Sequence, residues 1–384
     1  MSENTFGRRD LFKRAAVAGA GMAALSPSLG AFAQADAATT ADKVPTRVLG
    51  KTGEKIPILL IGGSYNIDPV FDNILHRAFK EGCFYIDTAE SYANGQSHVG
   101  VSTFAQQVGR ENLWITSKSG MFRGESPAPP EQYKQVIEKE FPVLKFDQID
   151  MYFFHGLRHL ECLEPEYLAM VDGLKKAGKT KYFGFSCHDG NVVGLMNKAA
   201  QLGSDAVQGI MFRYNFAQYG DLELNKAMDA CVKAGIGLIA MKTQMSVPED
   251  KDEVKRFSSD AGFNLFQAKL KAVWADERIT AAVSKMSSVD ILRQNMDAAK
   301  NATQLSMRDV QKLRQYAIRT ASLRCNGCNH VCESRVEGDL RISDTLRYLM
   351  YSDSYGEHAE AKALYHALRP SERAFSGVVL LDGI

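Results

Sequence analysis

Beyond roughly the first thirty residues, no apolar run in this chain approaches the length of a membrane span. There is no basic stripe, and the formal net charge is only +1, so nothing points to a nucleic-acid partner. No Gly-x-Gly-x-x-Gly turn follows the first predicted strand. Gly62-Gly63-Ser64 stands there instead, which argues against a doubly wound open sheet. Cysteine is sparse, with seven in 384 residues, and Cys83, Cys162, Cys187 and Cys231 are scattered singly, as buried small apolar residues usually are. What remains is an ordinary globular composition, 45% apolar and 24% charged, long enough for one large barrel or two domains.

Residues 1–33 read as a segment apart. Gly7-Arg8-Arg9-Asp10-Leu11-Phe12-Lys13 precedes an Ala/Gly-rich stretch from Ala15 to about Leu29, and Ala31-Phe32-Ala33 offers the small residues of a cleavage site. The paired arginines resemble a twin-arginine signal, with Leu11-Phe12 in place of the usual Phe-Leu order. The expectation is export to the periplasm and a mature chain starting near Gln34, with no stable membrane span. A short membrane anchor or basic helix is the alternative. Residues 34–45 read as a linker.

From residue 46 the pattern becomes regular. Thr46 to Pro57 reads as a hairpin about a Gly-containing turn. Short apolar strands follow at Ile58–Gly62, Phe84–Asp87, Leu113–Ser117, Ile149–Phe154, Tyr182–Ser186, Ala206–Met211, Gly237–Met241 and Ile279–Ser284. Helix-period segments alternate with them, and Lys80-Glu81-Gly82 and Val232-Lys233-Ala234-Gly235 end two of these as helix C-termini prefer. Eight strand–helix pairs predict a (β/α)₈ TIM barrel over about residues 46–302. Residues 303–384 read as a helical, cysteine-containing C-terminal extension, with Ser306 capping its first helix.

Polar groups collect at consecutive strand ends. Asp87 and Tyr92 follow the second strand, Lys118 the third and His155 the fourth. In a barrel all four converge on the C-terminal face, where catalytic residues sit. Such a set suits carbonyl reduction. Hydride arriving at carbon leaves an alkoxide that must take a proton, and a phenol can give it if a nearby ammonium lowers its pKa. Lys118 would supply that charge, Asp87 would hold the lysine, and neutral His155 would donate a hydrogen bond to the carbonyl oxygen. Singly, each residue has a structural explanation: a capping Asp, a surface Tyr, a solvated Lys, a satisfied core His.

Asp-Thr-Ala-x-x-Tyr at 87–92, Thr-Ser-Lys at 116–118, Asp-x-x-x-x-His at 150–155 and Arg47-Val48-Leu49-Gly50-Lys51-Thr52-Gly53 together resemble the aldo/keto reductase family over about residues 46–300. The resemblance implies an NAD(P)-dependent oxidoreductase acting on a small-molecule carbonyl or alcohol, with Tyr92 as proton donor and His155 orienting the carbonyl. It further implies cofactor contacts from Ser186, Gln208, Lys285, Gln294 and Asn295, with Lys285 favouring NADP over NAD. Departures are Cys187 where the family has Asn, Met241-Lys242 where it often has a stacking Tyr, Ile291 in place of an Arg, and Gln294 in place of Glu.

Cys325, Cys328 and Cys332 are spaced C-x₂-C-x₃-C, which resembles the C-terminal ferredoxin-like run of one branch of that family, where four cysteines hold a [4Fe–4S] cluster. Here Ala321 stands at the first cysteine position. Three readings stay open: a cluster with a fourth ligand such as His330 or Glu333, a zinc site completed by His330, or a motif that binds no metal. The first would make the protein an iron–sulfur electron-transfer enzyme with a redox partner protein. A barrel that binds without turnover is the remaining alternative.

Overall fold

The structure, a computed structural model, describes residues 41–120, 127–188, 191–244, 254, 257–321, 325, 332–355, 358–373 and 379–380. The expected signal segment and most of the linker lie outside the described residues, as do Cys328 and His330.

Two short antiparallel strands, β1 (Thr46–Val48) and β2 (Lys55–Pro57), form the expected hairpin. Eight parallel strands then close into a barrel: β3 (Leu59–Gly62), β4 (Tyr85–Asp87), β5 (Trp114–Ser119), β6 (Ile149–Phe154), β7 (Thr180–Cys187), β8 (Gly209–Arg213), β9 (Gly237–Met241) and β10 (Ile279–Ser284). The seam is made by β10 against β3, with Ala282 beside Leu59. Helices return the chain between strands: α1 (Asn73–Lys80), α2 (Gln96–Val108), α3 (Pro130–Leu144), α4 (Pro165–Lys176), α5 (Val192–Leu202), α6 (Leu222–Lys233) and α7 (Leu265–Trp274); α8 (Val289–Lys300) follows the last strand. Parallel strands covered on their outer face by helices need apolar residues on both faces, which explains runs such as Gly-Leu-Ile-Ala-Met in β9.

Alternation along each strand separates two cores. Leu60, Tyr85, Trp114, Met151, Phe153, Met211, Ile239 and Ala281 fill the barrel interior, and Tyr85, Trp114 and Tyr182 stack in series at 5.8 and 5.7 Å. Leu49 and Ile56 of the hairpin join this interior cluster, and Arg47 pins the hairpin by donating to the carbonyls of Ile279 and Trp274. The interior is therefore filled by side chains, and the space left for chemistry is the mouth. Ile61, Ile86, Ile115, Tyr152, Phe154, Phe185 and Cys187 point outward into the helix layer.

Most elements lie where the hydrophobic period places them. One strand does not. The strand expected at Ala206–Met211 starts three residues later and ends two later, as Gly209–Arg213. The amides of Ala206 and Val207 bond the Gly203 carbonyl, so a turn takes the backbone that the apolar pair would have given to the sheet. Strand β5 also runs on through Lys118 and Ser119, which puts the lysine within the sheet rather than after it.

The extension begins with α9 (Met307–Arg319), capped by Ser306 and Asp309 in a reciprocal capping box. Later come α10 (Ile342–Tyr355) and α11 (His358–His366). It reaches the C-terminal face of the barrel at three loops. Arg158, after β6, sits 3.4 Å from Asp344; Arg213, ending β8, donates to the Cys325 carbonyl at 3.1 Å; the Lys242 ammonium, after β9, lies 5.3 Å from the centre of the Tyr351 ring.

Candidate active site

Strand parity puts Asp87 of β4 and Lys118 of β5 on the inward face, two residues above Tyr85 and Thr116. Lys118 is 1% exposed and its Nζ donates to Asp87 Oδ1 at 2.5 Å and to the Thr88 carbonyl at 2.9 Å. A lysine this deep survives as a cation only because a carboxylate answers it. Burial by itself would lower its pKa, but Asp87 and Tyr92 outweigh burial and raise it. Burial likewise pushes the Asp87 carboxyl up against the pull of Lys118.

Tyr92 opens a tight turn in which Ala93, Asn94 and Gly95 all take positive φ, at 49°, 54° and 86°. Two consecutive non-glycine residues in that region are uncommon and carry strain, which suits a loop that must aim one side chain. The turn brings the Tyr92 ring over Lys118, with Nζ 4.8 Å from the ring centre. His155, following β6, meets the same ring edge-on at 5.6 Å and 88°. The four residues expected to act together are thus assembled in one bowl. One expectation changes. Burial raises the Tyr92 pKa, and Lys118 only opposes that rise, so the phenol is held protonated rather than drawn toward neutrality.

Behind β5 lies a second buried polar group that sequence reasoning did not single out. Ser117 points outward, donates to Glu140 of α3 and lies 3.0 Å from His98 Nε2 of α2; Tyr152 of β6 also donates to Glu140. Burial pushes Glu140 up to about 8, and burial with the Lys118 charge pulls His98 down to about 4. The missed signal was Glu140 itself, which shares a helix face with Tyr133, Ile137, Phe141 and Leu144. Glu90, in the loop between Asp87 and Tyr92, was also passed over.

The expected cofactor residues do not all meet the bowl. Ser186 does: its Oγ accepts from the Gly156 amide at 2.9 Å, directly after His155. Gln208 does not. The three-residue shift of β8 leaves it at the N-terminal end of the barrel, where its amide accepts from the Phe183 N–H and from Lys175 and donates to the Ser204 and Asp205 carbonyls. Arg213 reaches the mouth instead. Cys187 packs into the helix layer at 1% exposure, away from the bowl. Asn295 joins Ser284 and Gln244 in a closed set of hydrogen bonds, and Gln294 accepts from Asn264. Lys285 is half-buried just beyond β10, with no hydrogen bond or ion pair among the described residues.

Of the cysteine motif, Cys325 and Cys332 are described, and both are partly exposed. Glu333, a candidate fourth ligand, is already engaged, since its Oε1 accepts from the amide and hydroxyl of Ser343 at the start of α10. No group of three His, Cys, Asp or Glu side chains suited to a metal occurs among the described residues.

The comparisons agree with this geometry. A match to the aldo/keto reductase family spans residues 62–246. An aldo-keto reductase of Gibberella moniliformis is 33% identical over 139 residues, 35% of this chain and 41% of that one. L-galactose dehydrogenase of Arabidopsis thaliana is 22% identical over 294 residues, 69% of this chain and 91% of its own length. Among solved structures, an aldo-keto reductase from Bacillus halodurans in its holo form covers 71% of this chain and 96% of its own, with a TM-score of 0.57 and 21% identity. A thermostable aldo-keto reductase solved with the inhibitor epalrestat gives a TM-score of 0.56 at 23% identity, covering 71% of this chain and 99% of its own. Over residues 62–246 the chain matches the aldo/keto reductase family, whose members are NAD(P)-dependent oxidoreductases.

Proposed function

We propose that this protein reduces a small carbonyl compound, or oxidises the matching alcohol, with Tyr92 exchanging the proton on oxygen. The observation that carries the reading is the Lys118 ammonium, clamped by Asp87 and lying under the Tyr92 ring, with His155 edge-on to the same ring. As charge develops on the substrate oxygen, Tyr92 donates its proton and Lys118 stabilises the phenolate left behind. His155 holds the oxygen by hydrogen bonding. Asp87 keeps the lysine charged and fixed. The cost of a buried phenolate is met at the moment of transfer, because Lys118 and Asp87 are already ordered.

NAD(P)H supplies the hydride when bound. Two features of the mouth suit it: Lys285, a cation without a described partner where an anionic phosphate would fit, and Ser186, whose hydroxyl faces the His155–Gly156 turn. Lys285 favours NADP. Gln208 has no part in this, for it lies at the opposite end of the barrel. The test is NADPH consumption against small aldehydes and ketones, with Tyr92→Phe alongside. A variant that keeps the wild-type rate would refute the proton-donor assignment.

Two further parts of the reading rest on the sequence. Residues 1–33 act as a twin-arginine-type signal that delivers the protein to the periplasm, tested by fractionating cells carrying the chain with Arg8 and Arg9 changed to Lys. As a second reading, Cys325 belongs to a redox centre, because Arg213 ties its carbonyl to the mouth. Iron and sulfide analysis of anaerobically purified protein decides it, and metal-free protein with full reductase activity would end the idea.

A further inference from the structure

We infer that Glu90 is a positioning residue of the reductase site, a brace between the Tyr92 loop and the backbone that seats His155. The inference rests on the function proposed above. Glu90 stands two residues before Tyr92, and its own amide donates to the Lys118 carbonyl at 3.2 Å. Its Oε1 accepts from the Gly120 amide at 3.3 Å, so the side chain crosses from the loop after β4 to the end of β5. Gly120 is in turn the wall of the His155 pocket. A Cβ built there would fall 2.9 Å from His155 Cβ and 3.1 Å from its Nδ1. The His155 amide donates to the Ser119 carbonyl at 2.8 Å, so ring and backbone are both referred to the same two residues.

The chain of contacts therefore runs from Glu90 to Gly120 to His155, and His155 meets Tyr92 again at 5.6 Å. It closes a loop around the two groups that must face one substrate oxygen. A surface carboxylate would have no reason to be there. Glu90 Oε2 is buried and has no hydrogen-bond partner among the described residues, a costly placement for a charged group. Burial raises its pKa, with the Gly120 amide and Lys118 opposing, and the Glu140 carboxyl lies close enough to be affected by it. A neutral carboxyl can keep Oε1 as acceptor for Gly120 without adding a second negative charge to compete with Asp87 for Lys118. A brace acts through geometry, and small displacements of a catalytic pair cost rate steeply.

The test compares Glu90→Ala, Glu90→Gln and Gly120→Ala by steady-state kinetics and by ¹⁵N NMR of the His155 ring, with melting curves to confirm folding. Expected for E90A is a kcat about ten- to a hundredfold lower with KM within about twofold. Gly120→Ala should do the same by pressing on His155. E90Q, which keeps the acceptor, should recover most of the loss. His155 ring signals should move in E90A and in Gly120→Ala and stay in place in E90Q. Wild-type kcat with unmoved ring signals in E90A overturns the inference. So does an E90Q that loses as much as E90A, since charge would then be what matters. If wild-type protein turns over no carbonyl substrate, the proposed function fails, and the NMR comparison alone still decides the brace. Should E90A not fold, Glu90→Asp, one methylene short of Gly120, takes its place in both readouts.

Discussion

Lys118 Nζ lies 2.5 Å from Asp87 Oδ1, with the two side chains only 2% and 4% exposed. An ion pair this buried makes each partner depend on the other, because removing one leaves the second charged and dry. Asp87→Asn should therefore destabilise the protein by about 3–5 kcal/mol and depress turnover as well. Adding Lys118→Met should restore most of the stability and none of the activity. Urea denaturation of the single and double variants checks both halves.

Tyr92 is the group whose loss should be felt in chemistry alone. Tyr92→Phe removes the proton but keeps the ring that Lys118 and His155 pack against, so the melting point should hold while kcat falls about 10²–10⁴-fold. Because burial raises its pKa, Tyr92 keeps its proton in mildly alkaline solution. Reduction should show no basic limb from this residue below the ordinary phenol value of about 10. A pH–rate profile with a limb near 8 that vanishes in Tyr92→Phe would contradict this.

The pair behind β5 sets a pH dependence of stability. Glu140 is raised by burial from 4.5 to about 8, so its contribution is complete below 4.5 and is lost as pH rises through about 8. His98 is lowered by burial and by Lys118 from 6.5 to about 4, so its contribution is complete above 6.5 and is lost as pH falls toward 4. Between these limits the two slopes oppose. Above 6.5 Glu140 acts alone and stability should decline by about 1.4 kcal/mol per pH unit. The difference in unfolding free energy between wild type and Glu140→Gln should carry that slope. A constant difference from pH 6.5 to 8 would show that Glu140 does not titrate there.

Asp344 holds the extension to the barrel. It faces Arg158 at 3.4 Å and Arg347 at 2.7 Å, with all three side chains at or below 11% exposure. Asp344→Asn leaves two poorly hydrated guanidinium groups without their carboxylate. Amide exchange in α10 should accelerate while exchange in β3 to β10 stays unchanged. Equal acceleration in the barrel strands would mean that extension and barrel open together.

Legibility of this sequence follows the physics that each segment obeys. Ile149–Phe154, Gly237–Met241 and Ile279–Ser284 lie where their apolar runs place them, because nothing competes with burial there. Ala206 and Val207 look equally strand-like, yet Gly203 captures their amides, and the strand starts later. That single shift exchanged Gln208 for Arg213 at the mouth. The tetrad was readable because its spacing repeats with the strands. Glu90 was not, because a buried carboxyl in a loop has no period to announce it; His98 and Glu140 sit inside α2 and α3, where only their place among the buried positions of the helix marks them.

The seam between β10 and β3 joins residues more than two hundred positions apart in sequence. Until residues 279–284 exist, β3 and β9 are open edges, each showing unpaired amides and carbonyls to any passing strand. A nascent chain therefore spends about the first three-quarters of its synthesis as an unclosed sheet, and closure with such distant contacts is slow. Interrupting translation just short of Ile279 would leave a sticky fragment rather than a smaller enzyme.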